Sequence, residues 1–310
     1  MNIFCSTDDN YAPYCAVMLT SLCENNKDLS IHVYLMTEGL TTENHDVLET
    51  VVNRYNGIFH YCLMDKSLFE NCPIREGDHI TLATYFRFLI PQLIPESEHT
   101  AIYLDVDMII LRSLKPLDEL DLSDYAVAAV DEVGCSAPDV FERLNIPKSN
   151  SYFNAGLLVI NLDYWREHNI SEALFNYVSK NANILTAHDQ DALNVLLNTK
   201  WLSLPQKWNW MSAFMHENHI INSESYNKVM AECHKICIIH YTENKPWIKY
   251  SKQPFINKYF YYQNLSGVSQ KYHSTSKLSN LKRACRRLLE SCGLIKMIYA
   301  KQFYMMKDLN

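Results

Sequence analysis

The first 64 residues settle most of what this chain can fold into. Asn2–Thr7 (NIFCST) is a short apolar run ending in polar residues, the pattern of a buried strand. Tyr11–Cys23 places Tyr14, Val17, Met18 and Leu22 at helical spacing, and Ser30–Met36 alternates Ile31, Val33 and Leu35 at the period of a strand. Thr41 caps a helix predicted through about Tyr55, and Gly57–Met64 is a third strand. This alternation of strand and helix predicts a mostly parallel sheet with helices on both faces.

Residues 65–81 read as a polar loop, and Leu82–Ile90 as a helix stopped by Pro91 and Pro95. Thr100–Val106, Tyr125–Val130, Gly156–Ile160 and Lys235–His240 read as further strands, Ser171–Lys180 and Asp189–Asn198 as helices. In doubly wound sheets, ligands bind beyond the carboxyl ends of the strands. Asp8 and Asp9, after the first strand, and Asp105 and Asp107, closing the fourth, would share that edge.

The run AIYLDVDMIIL (101–111) sharpens the point, because a buried carboxylate costs several kcal/mol unless paired. Residues i and i+2 of a strand face the same way, so Asp105 and Asp107 would repel unless a cation or proton separates them. A hard divalent ion bridging to phosphates answers that repulsion; the plainer alternative is a solvated strand end. DVDMIILRSLKP lacks the acids, glycine and distal Glu of an EF-hand loop, and glycosidase carboxylates sit at separate points of a cleft. A phosphoaspartate hydrolase would carry its pair after the first strand. Only seven glycines occur, with neither GxGxxG nor GxxxxGK[ST], so a bound phosphate would need a cation.

Other bounds are broader. An apolar share of 48% with 20% charged residues is that of a globular protein. Ten cysteines without regular pairing spacing predict reduced thiols, and MNIFCSTDDNY has neither a basic nor an apolar leader region, which predicts a cytoplasmic protein. The net charge of −7 is uneven: residues 271–310 hold nine Lys/Arg against Glu290 and Asp308, so +7, leaving −14 on the first 270. An acidic body with a basic tail argues against nucleic acid as a partner.

Six blocks now fall in order: STDDNY (6–11), HITLATYFRF (79–88), YLDVDMII (103–110), YFNAGLLVINL (152–162), HDQDALN (188–194) and HYTENKPW (240–247). Together they resemble glycosyltransferase family 8, the bacterial lipopolysaccharide galactosyl/glucosyltransferase group. The resemblance covers about residues 1–263. It implies a GT-A fold, an α/β architecture with a Rossmann-like, mostly parallel mixed sheet flanked by helices.

The resemblance also implies roles. Asp105, Asp107 and His240 would hold Mn²⁺, with Mg²⁺ a weaker candidate. Lys245 would neutralise the leaving diphosphate. Thr7, Asp8, Asn10 and Tyr11 would bind uridine, Val106 would join the donor site, and Arg87 would contact the donor and orient the acidic pair. Asn154, Ala155 and Gly156 would line the donor sugar, with Asp189 and Gln190 at the catalytic edge and His79 near the acceptor. The resemblance implies retention; because Gln190 is an amide and a poor nucleophile, front-face displacement is favoured over a covalent intermediate as its route. The family commonly reads His-x-x-Gly-x-x-Lys; here His240 and Lys245 are one residue closer, and Glu243 places an acid near the diphosphate. The implied reaction moves galactose or glucose from a UDP-hexose donor to a hydroxyl of a membrane-associated glycan such as lipopolysaccharide core.

From Leu278, the residues Leu281, Cys285, Leu288, Leu289, Cys292 and Ile295 share one helical face, and Lys282, Arg283, Arg286 and Arg287 the other. With Tyr299, Phe303 and Tyr304 beyond, this suits an anionic membrane surface; the alternative is a helix packed on the body. The expected division is a catalytic domain over 1–265 and a basic amphipathic tail over 266–310, with the protein peripheral on the inner face of the cytoplasmic membrane. Cys233, His234, Cys237 and His240 lack a second ligand pair at zinc spacing. Two rivals stand: a sugar nucleotidyltransferase, which would use a glycine-rich N-terminal loop, and a catalytically silent glycan-binding protein.

Overall fold

The computed structural model describes residues 1–74, 81–133, 139–217, 223–269 and 275–306. Strands β1 (Asn2–Ser6), β2 (His32–Thr37) and β3 (Ile58–Leu63) alternate with helices α1 (Ala12–Glu24) and α2 (Thr42–Asn53). Thr41 caps α2 by accepting from Asn44 N. Next come β4 (Thr100–Leu104), β5 (Met108–Ile110), β6 (Val127–Asp131), β7 (Phe153–Asn161), α3 (Ile170–Lys180) and α4 (His188–Leu196). Then follow β8 (Trp201–Leu204), β9 (Trp210–Met211), β10 (Ile238–His240), α5 (Ile256–Ser266) and α6 (Lys277–Ser291).

Seven strands form one sheet in the order β3-β2-β1-β4-β7-β6-β8. The β1, β2, β3 and β4 ladders are parallel, as is β6 with β8, while β7 runs antiparallel between β4 and β6. The period of two sorts the core. Ile3, Cys5, Val33, Leu35, Ile102 and Leu104 face α1 and α2; Phe4, Tyr34, Met36 and Tyr103 face the opposite layer, built on Phe86, Phe88, Leu174 and Leu193. A smaller sheet, β5-β10-β9, covers a third cluster of Tyr14, Trp210, Tyr241, Trp247 and Tyr259.

Three expectations need correcting. Leu82–Gln92 is helical but of the tighter 3-10 kind and runs through Pro91. The fourth strand ends at Leu104, so Asp105, Val106 and Asp107 form a turn between two sheets rather than one strand face. In the tail, Leu278, Leu281 and Leu288 of α6 are exposed, yet Tyr299 and Phe303 are buried in the third cluster. The chain returns to the body there: Glu217 N donates to Ile298 O at 2.9 Å and Ala300 N to Met215 O at 2.8 Å. Among the described residues, no helix is long and apolar enough to cross a membrane.

Candidate active site

The two sheets meet at the Asp105–Asp107 turn. Asp105 N donates to Gly156 O at 2.8 Å, fixing the turn to β7, and Tyr241 N donates to Asp107 O at 3.0 Å, fixing it to β10. His240, the last residue of β10, brings Nε2 to 3.1 Å from Asp107 Oδ1 and 3.8 Å from Asp105 Oδ2. One ligand atom from each of the three residues lies within 4.8 Å of the others. The sequence brought the acids together by strand alternation; a turn and a sheet junction do it instead. Cys233 and Cys237 lie apart from this grouping, and both are free thiols.

A cavity of about 530 Å³ opens over the turn. Thr7, Asp8, Tyr11, Arg87, Asp105, Val106, Asp107, Asn154, Ala155, Gly156, Asp189, Gln190, His240 and Lys245 all line it. Asn10 is exposed and does not, and His79 lies outside the described residues. A larger groove of about 970 Å³ between α1, α2 and the residues after α5 gathers no comparable set.

Arg87 organises the wall. Its guanidinium is buried, donates to Asp105 Oδ1 at 3.1 Å and to Ala155 O at 2.6 Å, and lies 4.0 Å above the Tyr103 ring. Its Nε is 3.1 Å from Asp189 Oδ2. Burial alone would lower the Arg87 pKa, but Asp189, Tyr103 and Asp105 outweigh it and hold the group charged. Burial pushes the Asp189 carboxyl up, opposed by Arg87 and by the Thr84 hydroxyl that donates to Oδ1. Asp189 Oδ2 is buried without a hydrogen-bond partner.

Gln190 is held at both ends of its amide. Ala155 N donates to Oε1 at 2.9 Å, and Nε2 donates to Glu132 Oε1 at 3.0 Å. Asp189 and Asp191, two residues apart at the start of α4, have different roles. Asp191 turns into the protein, where Arg143, Tyr152 and the amides of Thr186 and Ala187 all donate to it. Burial would raise its carboxyl, but these donors bring it below the ordinary range. It anchors the start of α4 and so aims Asp189 and Gln190.

Lys245 donates to Asp107 Oδ2 and, at 2.7 Å, to Tyr241 O. Burial would raise Asp107, yet the Lys245 ammonium beside it holds it well below the usual carboxylate range. Trp247 stacks on Tyr14 with centroids 3.9 Å apart, pinning this segment to α1. Glu243, expected near the diphosphate, turns away: His216 Nε2 lies 2.8 Å from it and the Tyr299 hydroxyl donates to it at 3.3 Å. Its charge is answered outside the cavity.

The residues present fit a divalent cation. Four carboxylates (Asp8, Asp105, Asp107, Asp189) and two cations (Arg87, Lys245) line the cavity, so 2 − 4 leaves −2, which repels a diphosphate. The donor set of carboxylates and one imidazole suits Mn²⁺. The cradle is also open by design of the backbone: a Cβ on Gly156 would run into His240 Cε1 and come within 2.8 Å of Asp105 Oδ2. Sequence reasoning missed Glu132, Thr84 and the wholly buried Asn209, which lies against His240. Glu132 and Asn209 belong to no recognisable motif, Thr84 sits unmarked inside the HITLATYFRF block, and each reaches its partner through long-range pairing.

The family model for glycosyl transferase family 8 matches residues 2–250. The chain belongs to glycosyl transferase family 8. It is 30% identical over 273 residues to general stress protein A of Bacillus subtilis, covering 85% of this chain and 93% of that protein. It is 27% identical over 272 residues to a lipopolysaccharide 1,2-glucosyltransferase of Escherichia coli, covering 86% and 78%. Against glycosyltransferase GlyF of Streptococcus pneumoniae, 27% identical over 270 residues, the match spans 61% of the relative's length. Among solved structures, galactosyltransferase LgtC superposes with a TM-score of 0.76 at 23% identity, covering 91% of this chain and all of LgtC. The GT-A fold of this family 8 member agrees with the architecture above.

Proposed function

We propose that this family 8 member is a retaining, metal-dependent hexosyltransferase, moving galactose or glucose from a UDP-sugar to a hydroxyl of a membrane-associated glycan such as lipopolysaccharide core. The observation that carries the reading is the convergence of Asp105, Asp107 and His240 on one point beneath a cavity walled by Arg87, Asp189 and Gln190. A divalent cation at that point, Mn²⁺ before Mg²⁺, would supply charge neutralisation for the departing diphosphate.

The chain's own residues do the rest. Thr7, Asp8, Tyr11 and Val106 receive the uridine, with Asn10 at the outer rim. Lys245 leaves Asp107 for the diphosphate, keeping a cation on the leaving group. Asn154, Ala155 and Gly156 line the sugar, and Asp189, whose Oδ2 has only its ion pair with Arg87, accepts from a sugar hydroxyl. Gln190, held between Ala155 N and Glu132, borders the anomeric carbon, where an amide is a poor nucleophile. The anomeric C–O bond breaks toward UDP as the acceptor oxygen bonds on the same face, its proton passing to the leaving phosphate. His79, of the HITLATYFRF block, serves the acceptor side in this reading, as the family resemblance implies.

The tail after residue 265 has a separate task in this reading. α6 touches the body through Glu290, which Lys252 binds and which Arg286 of the same helix also pairs with at 2.9 Å, while Leu278, Leu281, Leu288, Leu289 and Arg287 are exposed. That arrangement suits adsorption to the anionic cytoplasmic face of a membrane. The test of the whole reading is a panel of UDP-sugars with Mn²⁺, scoring UDP release and the anomeric configuration of the product. Release from UDP-galactose or UDP-glucose with retention supports it. Turnover of a sugar 1-phosphate with UTP would point to a nucleotidyltransferase, and silence with every donor to a glycan-binding protein.

A further inference from the structure

We propose that Asn209 is a positioning residue that fixes His240 in its Nδ1–H form, so that the Nε2 lone pair faces Asp105 and Asp107. The proposal rests on the cation reading above and concerns how that site is kept ready.

Its direction comes from backbone amides, which can only donate. Gly156 N donates to Asn154 at 3.0 Å, so the atom it meets is the amide oxygen, Oδ1. Asn209 approaches the same oxygen at 2.8 Å and must present its Nδ2 there. Its own Oδ1 is then turned to His240 Nδ1 at 2.9 Å. An amide oxygen only accepts, so the ring proton sits on Nδ1. Reversing the Asn209 amide would set two oxygens against each other and two donors against each other. One neighbouring amide sets Gln190 in the same manner: Ala155 N takes Oε1, and Nε2 goes to Glu132. Two consecutive residues of β7 thus orient both the histidine and the glutamine of the site.

The fold delivers Asn209 to this place. A 3-10 turn over Gln206–Trp208 ends at Asn209, and β9 then pairs parallel with β10, with Ile239 opposite Trp210. Asn209 is 0% exposed and His240 3%, so solvent does not average the pair. The consequence for His240 is a lone pair 3.1 Å from Asp107 Oδ1. Three electron-rich atoms facing one another are costly unless a cation lies between them. A histidine that ligates a metal through one nitrogen is ordinarily held through the other, and partners of that kind are worth about 10- to 100-fold in metal affinity. An amide in that role adds no charge to a cavity that is already net negative.

The experiment is ¹⁵N NMR of the His240 imidazole in the full-length, metal-free protein at about pH 8, above the ordinary histidine pKa, with Mn²⁺ titration calorimetry on the same preparation. The wild-type ring is expected to show a protonated Nδ1 and a bare Nε2. Asn209→Leu, similar in volume, should release that preference and weaken Mn²⁺ binding about 10- to 100-fold, with the circular dichroism spectrum unchanged. A wild-type ring protonated at Nε2 overturns the proposal without recourse to any variant. So does a folded Asn209→Leu protein with wild-type Mn²⁺ affinity. If wild type binds no Mn²⁺ at all, the cation reading fails and takes this inference with it; Mn²⁺ binding with an Nε2–H ring sinks the inference alone.

Discussion

Gly156→Ala puts the smallest possible perturbation where the account is most specific. The new Cβ would stand 2.8 Å from Asp105 Oδ2 and 3.0 Å from Asn154 Oδ1, and closer still to His240 Cε1, against 3.4 Å for ordinary contact. Relieving the Asp105 contact alone requires a shift of 3.4 − 2.8, about 0.6 Å. Metal–ligand distances tolerate only about 0.2 Å. Neither ligand can retreat freely, because Arg87 and Tyr103 hold Asp105 Oδ1 at 3.1 and 3.0 Å and Asn209 holds His240. Gly156 is not in the left-handed region, so the penalty is steric rather than conformational. Overpacking of this kind costs about 1–3 kcal/mol of stability, a modest fall in Tm, whereas the displaced ligands should lose most of their affinity for Mn²⁺. Calorimetric titration with Mn²⁺, beside a thermal melt, separates the two effects. A Gly156→Ala protein that binds Mn²⁺ like wild type would refute the reasoning that the missing Cβ makes room for the site.

Further outcomes follow from other parts of the structure. Asp191→Asn should cost about 3 kcal/mol at neutral pH, since it breaks a buried ion pair. Because the folded Asp191 pKa is depressed, its contribution is present above the unfolded value of about 3.9 and lost as pH falls through the folded one; urea midpoints of wild type and variant should therefore converge in acid. Phe303→Ala should destabilise by about 3–5 kcal/mol while vesicle binding persists. The double change Leu281→Glu, Leu288→Glu should leave the melt unchanged and abolish sedimentation with anionic vesicles; retained sedimentation would remove the membrane role from α6. Lys245→Met should lower turnover more than it weakens Mn²⁺ binding, and equal losses in both would contradict its part at the leaving group.

Much of the fold was legible because period and burial coincide. Ile3, Cys5, Val33 and Leu35 alternate so regularly that β1 and β2 could be read at once, and Thr41 marked the start of α2. The DVD turn misled because its apolar flanks, Ile102–Leu104 and Met108–Ile110, belong to two strands of two sheets, a distinction invisible in one dimension. The segment 82–92 kept helical spacing, but 3-10 hydrogen bonding let it pass Pro91. Tyr299 and Phe303 looked like membrane anchors because an aromatic beyond a basic helix carries no mark of the partner it meets; here that partner is Trp210, Phe214 and their neighbours. Glu132 and Asn209 were illegible for a related reason. Each is a lone polar residue whose importance arises only from β6–β7 and β9–β10 pairing.

The central claim is that Asp105, Asp107 and His240 hold a divalent cation on which the diphosphate of the donor is received. Isothermal titration of UDP into wild type and Asp107→Ala, each with Mn²⁺ and with chelator, tests it most directly. The account predicts UDP binding by wild type only when Mn²⁺ is present, and none by the folded variant in either condition. Equal UDP affinity with and without the metal, or binding by Asp107→Ala that matches wild type, would contradict it.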